Sequence, residues 1–140
     1  MKKTSKVLVI LIILLLFPQK GQAVEVELDN AENIKPLFTN INIFQSTFDI
    51  ASDGKSSNTV YLNSRNSSKV KINAYLQQYK GGRWTTIKSW SGSRNSTSYG
   101  FTKNWYVNKG YSYRLLSYGY VYKNNKIVER TSNISRTMAY

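Results

Sequence analysis

Val70, Ile72, Ala74 and Leu76 alternate without a break with Lys71, Asn73, Tyr75 and Gln77. In an extended chain a repeat of two puts every second side chain on the same face, so this stretch predicts a strand with one dry and one wet side. The same period recurs along the chain. Ile41 and Ile43 alternate with Asn40 and Asn42, Phe48 and Ile50 flank Asp49, and Val60 and Leu62 share a side of Thr59–Arg65. Turn signals separate these runs: Asp53-Gly54, Arg65–Ser68, Gly81-Gly82, the Ser/Asn-rich Ser91–Ser98, Asn108-Lys109-Gly110 and Lys123–Lys126. Ser98–Tyr106, Tyr111–Tyr122 and Ile127–Met138 complete the set. Seven to eight short strands with polar turns and no amphipathic helix predict an all-β chain, a β-sandwich or a small barrel, of which the single antiparallel β-sandwich is the reading adopted.

The sandwich is expected over 37–140. Before it, Lys2, Lys3 and Lys6 precede an unbroken apolar run, Val7–Phe17, which Pro18 ends; Gly21-Gln22-Ala23 then offers small residues for cleavage. This is the layout of a signal peptide over 1–23, cut after Ala23, and the run is too short for a spanning helix. Residues 24–36 form an acidic leader in which Val24–Asn33 alternates apolar and acidic residues, a pattern that fits an edge strand or a loose terminus. With no further apolar run of spanning length, the mature chain is expected to be secreted, without a transmembrane segment, and monomeric. The chain has no cysteine, so the domain must stand on its core alone; with the Lys-rich short signal, this leans towards a bacterial source.

Residue types exclude much chemistry. There is no His and no Cys, so zinc, copper and haem sites in their usual forms are missing, and neither metal nor cofactor is expected. The domain proper carries three carboxylates, Asp49, Asp53 and Glu129, spread over a strand, a turn and the last strand. A glycosidase needs two placed across a sugar, and nothing in the spacing supports such a pair. Gly81-Gly82 is no phosphate loop, because no helix follows it. No enzyme is expected. Three sequons, at Asn66, Asn95 and Asn133, matter only in a host that glycosylates.

The charge is lopsided: 20 Lys and Arg against 7 Asp and Glu, a net +13. Between Asp53 and Glu129 there are thirteen Lys and Arg and no acid. Such a field favours anionic partners, although strong net charge also serves solubility alone. The candidate contacts are Lys69, Lys71, Arg83, Lys88 and Arg94, around the hairpin Tyr75–Trp90.

Aromatic residues sit among these cations. In Tyr111–Tyr122, the face bearing Tyr111, Tyr113, Leu115 and Val121 is assigned inward, with Gly119 leaving room for a bulky neighbour from the other sheet. Tyr118, Tyr120 and Tyr122 then form an outward ladder. Its members either pair across strands or offer a platform, and Tyr118 and Tyr120 join the candidate contacts. Trp84 and Trp90, six apart, are expected on one face of their strand, with Thr86 and Lys88 between them and Ile87 opposite; an edge strand or a bulge would let both tryptophans pack. A lone lysine on an inward face must snorkel or lie near an edge. Tyr111, opening the penultimate strand, is the candidate for the tyrosine corner of immunoglobulin-like sandwiches.

The run "VKINAYLQQYKGGRWTTIKSW" followed by "VNKGYSYRL" resembles small secreted Ig-like β-sandwich proteins of unknown function from Gram-positive bacteria, over roughly Pro36–Tyr140. The resemblance implies an Ig-like fold behind a signal peptide. It supplies no activity and no site residues. The expected function is a secreted, non-enzymatic binding protein whose basic, Tyr-rich surface holds an anionic cell-wall polymer or acidic surface at the envelope. The alternative is a bacteriocin-like antagonist of membranes, against which stands the lack of a cationic amphipathic helix. Secretion argues against nucleic acid as partner.

Overall fold

A computed structural model describes residues 38–140. The expected signal peptide, its cleavage after Ala23 and the acidic leader 24–36 lie outside the described residues. Eight strands follow one another: β1 Ile41–Ile50, β2 Lys55–Ser64, β3 Lys69–Lys80, β4 Arg83–Arg94, β5 Ser98–Tyr106, β6 Ser112–Lys123, β7 Lys126–Ile134 and β8 Met138–Ala139. They form two antiparallel sheets, ordered β1-β2-β5 and β4-β3-β6-β7, with the short β8 pairing the start of β6. The sheets pack as a β-sandwich. Among the described residues no helix is long and apolar enough to cross a membrane.

The central strands behave as their sequence predicts. Val70, Ile72, Ala74 and Leu76 of β3 are fully buried, as are Tyr113, Leu115, Ser117 and Val121 of β6. Phe48, Val60 and Leu62 face them from the other sheet. A side chain on Gly119 would meet the Phe44 ring at 2.9 Å, so this glycine is the space that the cross-sheet phenylalanine fills. Glycine also closes the β3–β4 hairpin. Gly81 and Gly82 both have positive φ (60° and 78°), as a two-residue type I′ turn requires. The β6–β7 turn has the same form, with Asn124 and Asn125 at positive φ.

The outer strands depart from the simple period. β1, β4 and β7 each contain one bulge, and all three are edge strands. A bulge adds one unpaired residue and shifts the phase of everything beyond it. On β1 the extra residue is Asn42. Ile41 is therefore buried and Ile43 exposed, not side by side as the alternation implied. On β4 the extra residue is Ile87. Trp90 stands opposite Ala74 and packs on the core, while Trp84 stands opposite Tyr79 on the outer face. The two tryptophans thus lie on opposite faces, correcting the expectation of a shared one.

Two further expectations are corrected. Ser91–Arg94 is not loop but the end of β4, paired with Val70–Asn73; Gly92 lets Tyr99 of the other sheet lie against its backbone. The return strand does not run on to Met138. It breaks at Ser135, whose side chain accepts from the Leu115 backbone N–H, and resumes as β8.

The tyrosine whose hydroxyl ties the β5–β6 turn to the backbone is Tyr113, not the expected Tyr111. The Tyr113 ring is wholly buried, and its hydroxyl donates to the Asn108 carbonyl at 2.8 Å and accepts from Gln78 Nε2 at 2.9 Å. Tyr111, two residues earlier, is half-buried, with the Lys80 ammonium 5.7 Å from its ring centre.

Candidate functional site

Strand parity in β3 and β6 decides what the five-stranded sheet shows to the outside. With the even positions of β3 and the odd positions of β6 committed to the core, Lys69, Lys71, Asn73 and Tyr75 on β3 face outward beside Tyr118, Tyr120 and Tyr122 on β6. Register then pairs them. Lys69 stands opposite Tyr122, Lys71 opposite Tyr120, and Asn73 opposite Tyr118. The Lys69 ammonium lies 5.2 Å from the centre of the Tyr122 ring. Tyr118 meets Tyr75 edge to face, 6.0 Å between ring centres. The outward tyrosine ladder therefore exists, and part of it is engaged in cross-strand packing.

The far side of the ladder is set by the bulge on β7. In an unbroken hairpin counted from the Lys123–Lys126 closing pair, Tyr120 would face Glu129. The extra residue Val128 shifts the count, so Arg130 stands opposite Tyr120 and Glu129 turns towards the space between the sheets. There the Glu129 carboxylate accepts backbone N–H groups of Thr39, Asn40 and Ile41 at 2.7–2.9 Å, tying the chain before β1 to β7. One row across three strands thus reads Lys71, Tyr120, Arg130. The next reads Asn73, Tyr118, Ser132, with Ser91 beyond Asn73 on β4. An open hollow of about 360 Å³ lies along β6 and β7, lined by Tyr118, Tyr120, Arg130, Thr131 and Ser132. A second, of about 290 Å³, lies along β3 and β4 by Lys71, Asn73 and Tyr75. Arg114 and Trp84 continue the face at its other end, the guanidinium 4.1 Å from the indole ring centre.

The seven expected contacts do not form one site. Lys69, Lys71, Tyr118 and Tyr120 come together on this face. Arg83 is apart, exposed at the hairpin tip next to Gly82. Lys88 and Arg94 leave the face altogether, because beyond the Ile87 bulge their positions turn towards the gap between the edge strands β4 and β5. Lys88 sits 4.2 Å from the Trp105 ring centre, and Arg94 5.9 Å from that of Tyr99. The inward lysine is tolerated because β4 is an edge, so its ammonium reaches the rim and an aromatic face. Tyr122 and Asn73, read from the sequence as outward but not as contacts, join the face by register, and Arg130 is the addition that sequence reading missed. Only the register assigns Arg130 to the row, and a bulge hides that register from a count of residues.

The carboxylates of the described residues are all engaged off this face. Asp49 pairs with Arg136 at 2.7 Å, Asp53 accepts the Lys55 backbone N–H, and Glu129 holds the three amides named above. Among the described residues no cluster of three His, Cys, Asp or Glu is placed to hold a metal. The outer face of the three-stranded sheet has a different character. Thr47, Thr59 and Thr102 form a row across it, the last two hydroxyls 2.9 Å apart, with Ser57, Asn63 and Asn104 around them.

No protein-family model matches this chain, and comparison with curated proteins and with solved structures finds no similar one.

Proposed function

We propose that the chain is a secreted, non-enzymatic binding protein that holds an anionic polymer or surface at the cell envelope on the outer face of its five-stranded sheet. The observation that carries this is the sorting of charge. Lys69, Lys71, Arg114 and Arg130 share that face with the tyrosine ladder, while Asp49, Asp53 and Glu129 are all taken up elsewhere. A cationic face without a competing carboxylate attracts polyanions over a Debye length, about 8 Å at physiological salt. The engagement of each described carboxylate in backbone or ion-pair contacts supports binding over catalysis, since it leaves no opposed acid and base across a cleft.

The fold reading belongs to the same proposal. The orders β1-β2-β5 and β4-β3-β6-β7 match an Ig-like layout in which strands A, B and E face C, F and G with one added strand beside C. Tyr113, at the start of the strand that would be F, ties its hydroxyl to the backbone five residues upstream, as a tyrosine corner does. Both support the reading of the sandwich as Ig-like.

The test is adsorption of the purified domain to anionic cell walls and acidic polymers across a salt series. Lys69→Glu with Lys71→Glu should abolish retention at moderate salt, each reversed charge near such a surface being worth about 1 kcal/mol or more. Lys88→Glu with Arg94→Glu removes the same charge from the β4–β5 rim and should weaken retention far less. Equal losses from the two pairs, or retention indifferent to salt, would defeat the assignment to this face.

A further inference from the structure

We infer that the ligand of this face is an acidic polysaccharide, recognised ring by ring, and that Tyr120 between Lys71 and Arg130 is the subsite for a sugar bearing a carboxylate or sulfate. This rests on the anion-binding reading above and narrows it. Three features point to a sugar rather than to a phosphate chain.

The first is the row itself. Lys71 and Arg130 flank Tyr120 on its two neighbouring strands, so their Cα positions stand about 10 Å apart, two inter-strand spacings, with the tyrosine between them. A polyphosphate or polyol phosphate needs only the cations. A pyranose has apolar C–H faces that lie on an aromatic ring while a charged substituent reaches sideways to Lys71 or Arg130. The second is the setting of Tyr120, a half-buried ring that lines an open hollow with Arg130. Tyr122 carries the Lys69 ammonium against its ring, and Tyr118 is packed on Tyr75. Among the described residues no ring or cation is found against Tyr120 in this way, and the hollow beside it is open.

The third is the adjoining row, Ser91, Asn73, Tyr118 and Ser132, which is wholly uncharged. Ser91 donates to Asn73 Oδ1 at 2.8 Å, which fixes the amide and leaves its N–H donors for another acceptor. A line of amide and hydroxyl groups one step along the strands from a cation–aromatic–cation row suits a chain whose units carry hydroxyls beside each anionic group. Bare phosphates would make little use of it.

The experiment measures affinity of the mature domain for two probes at one ionic strength: polygalacturonate, a uronic-acid polymer, and inorganic polyphosphate. Tyr120→Ser should raise the Kd for polygalacturonate about tenfold, the scale of one aromatic contact, and change that for polyphosphate less than about twofold. Tyr120→Phe keeps the ring and should keep the affinity, which guards against a merely misfolded serine variant. Arg130→Gln should weaken both probes, and Asn73→Ala only the polysaccharide. If polyphosphate binds as well as polygalacturonate, or if Tyr120→Ser weakens both alike while Tyr120→Phe binds normally, the sugar assignment falls and the electrostatic reading stands. If neither probe binds, both fall.

Discussion

The Tyr113 hydroxyl donates to the carbonyl of Asn108 across the β5–β6 turn at 2.8 Å, from a ring with no solvent exposure. It is also the acceptor for Gln78. Tyr113→Phe keeps the ring and strands two polar partners, so it should cost about 1–3 kcal/mol in urea unfolding with the slope unchanged. Tyr111→Phe, two residues earlier, should cost far less. Equal losses would mean that the buried tie contributes nothing special.

Leu76→Ala opens a cavity where β3 is fully buried and should destabilise by about 2–5 kcal/mol, read as a shift of the denaturation midpoint. A midpoint unchanged would place the inward face of β3 wrongly.

Gly119→Ala sets a methyl 2.9 Å from the Phe44 ring and 3.1 Å from Thr131. Overpacking of this kind should cost about 1–3 kcal/mol. In a Phe44→Leu background the same change should cost less, because the smaller side chain yields the space. A double-mutant cycle measures the coupling.

Glu129→Ala should release the backbone N–H groups of Thr39, Asn40 and Ile41 that the carboxylate now holds. Their hydrogen exchange should quicken selectively, with the amides of β3 and β6 still protected. Loss of charge-assisted bonds costs about 1.5–3 kcal/mol each when their partners are buried, and less at this partly exposed end. Uniformly faster exchange across the sandwich would instead make Glu129 a determinant of global stability.

The faces of β3 and β6 were readable residue by residue because both strands lie inside the sheet and pair on each side, which leaves no room for an extra residue. On β6 parity sorted the residues into two faces, and the space that Gly119 leaves told which of them turns inward and buries Tyr113. The edge strands were not readable in this way. Asn42, Ile87 and Val128 each interrupt a phase that composition does not mark, so Ile41, Trp90 and Arg130, beyond their bulges as counted from the hairpin turns, lie on faces opposite to those a plain count assigns. The site suffered most from this. Its β3 and β6 residues were named from the sequence, Lys88 and Arg94 were wrongly grouped with them, and Arg130 was overlooked. The tyrosine that ties the β5–β6 turn was misassigned for a different reason: Tyr111 and Tyr113 share a face, and only the path of the turn tells which of them reaches the backbone.

The bulge at Val128 makes the sign of the charge beside Tyr120 a matter of chain length. Glu129 and Arg130 are neighbours of opposite charge, and the extra residue decides which looks outward. Removing Val128 would bring a carboxylate beside the tyrosine ladder and turn the arginine inward, reversing the local potential without replacing a single charged residue. Substitution tolerates many residues at position 128, since its side chain is exposed. Deletion does not. In descendants of this sequence, insertions and deletions in Lys126–Glu129 are therefore the changes that would most sharply redirect what the face attracts.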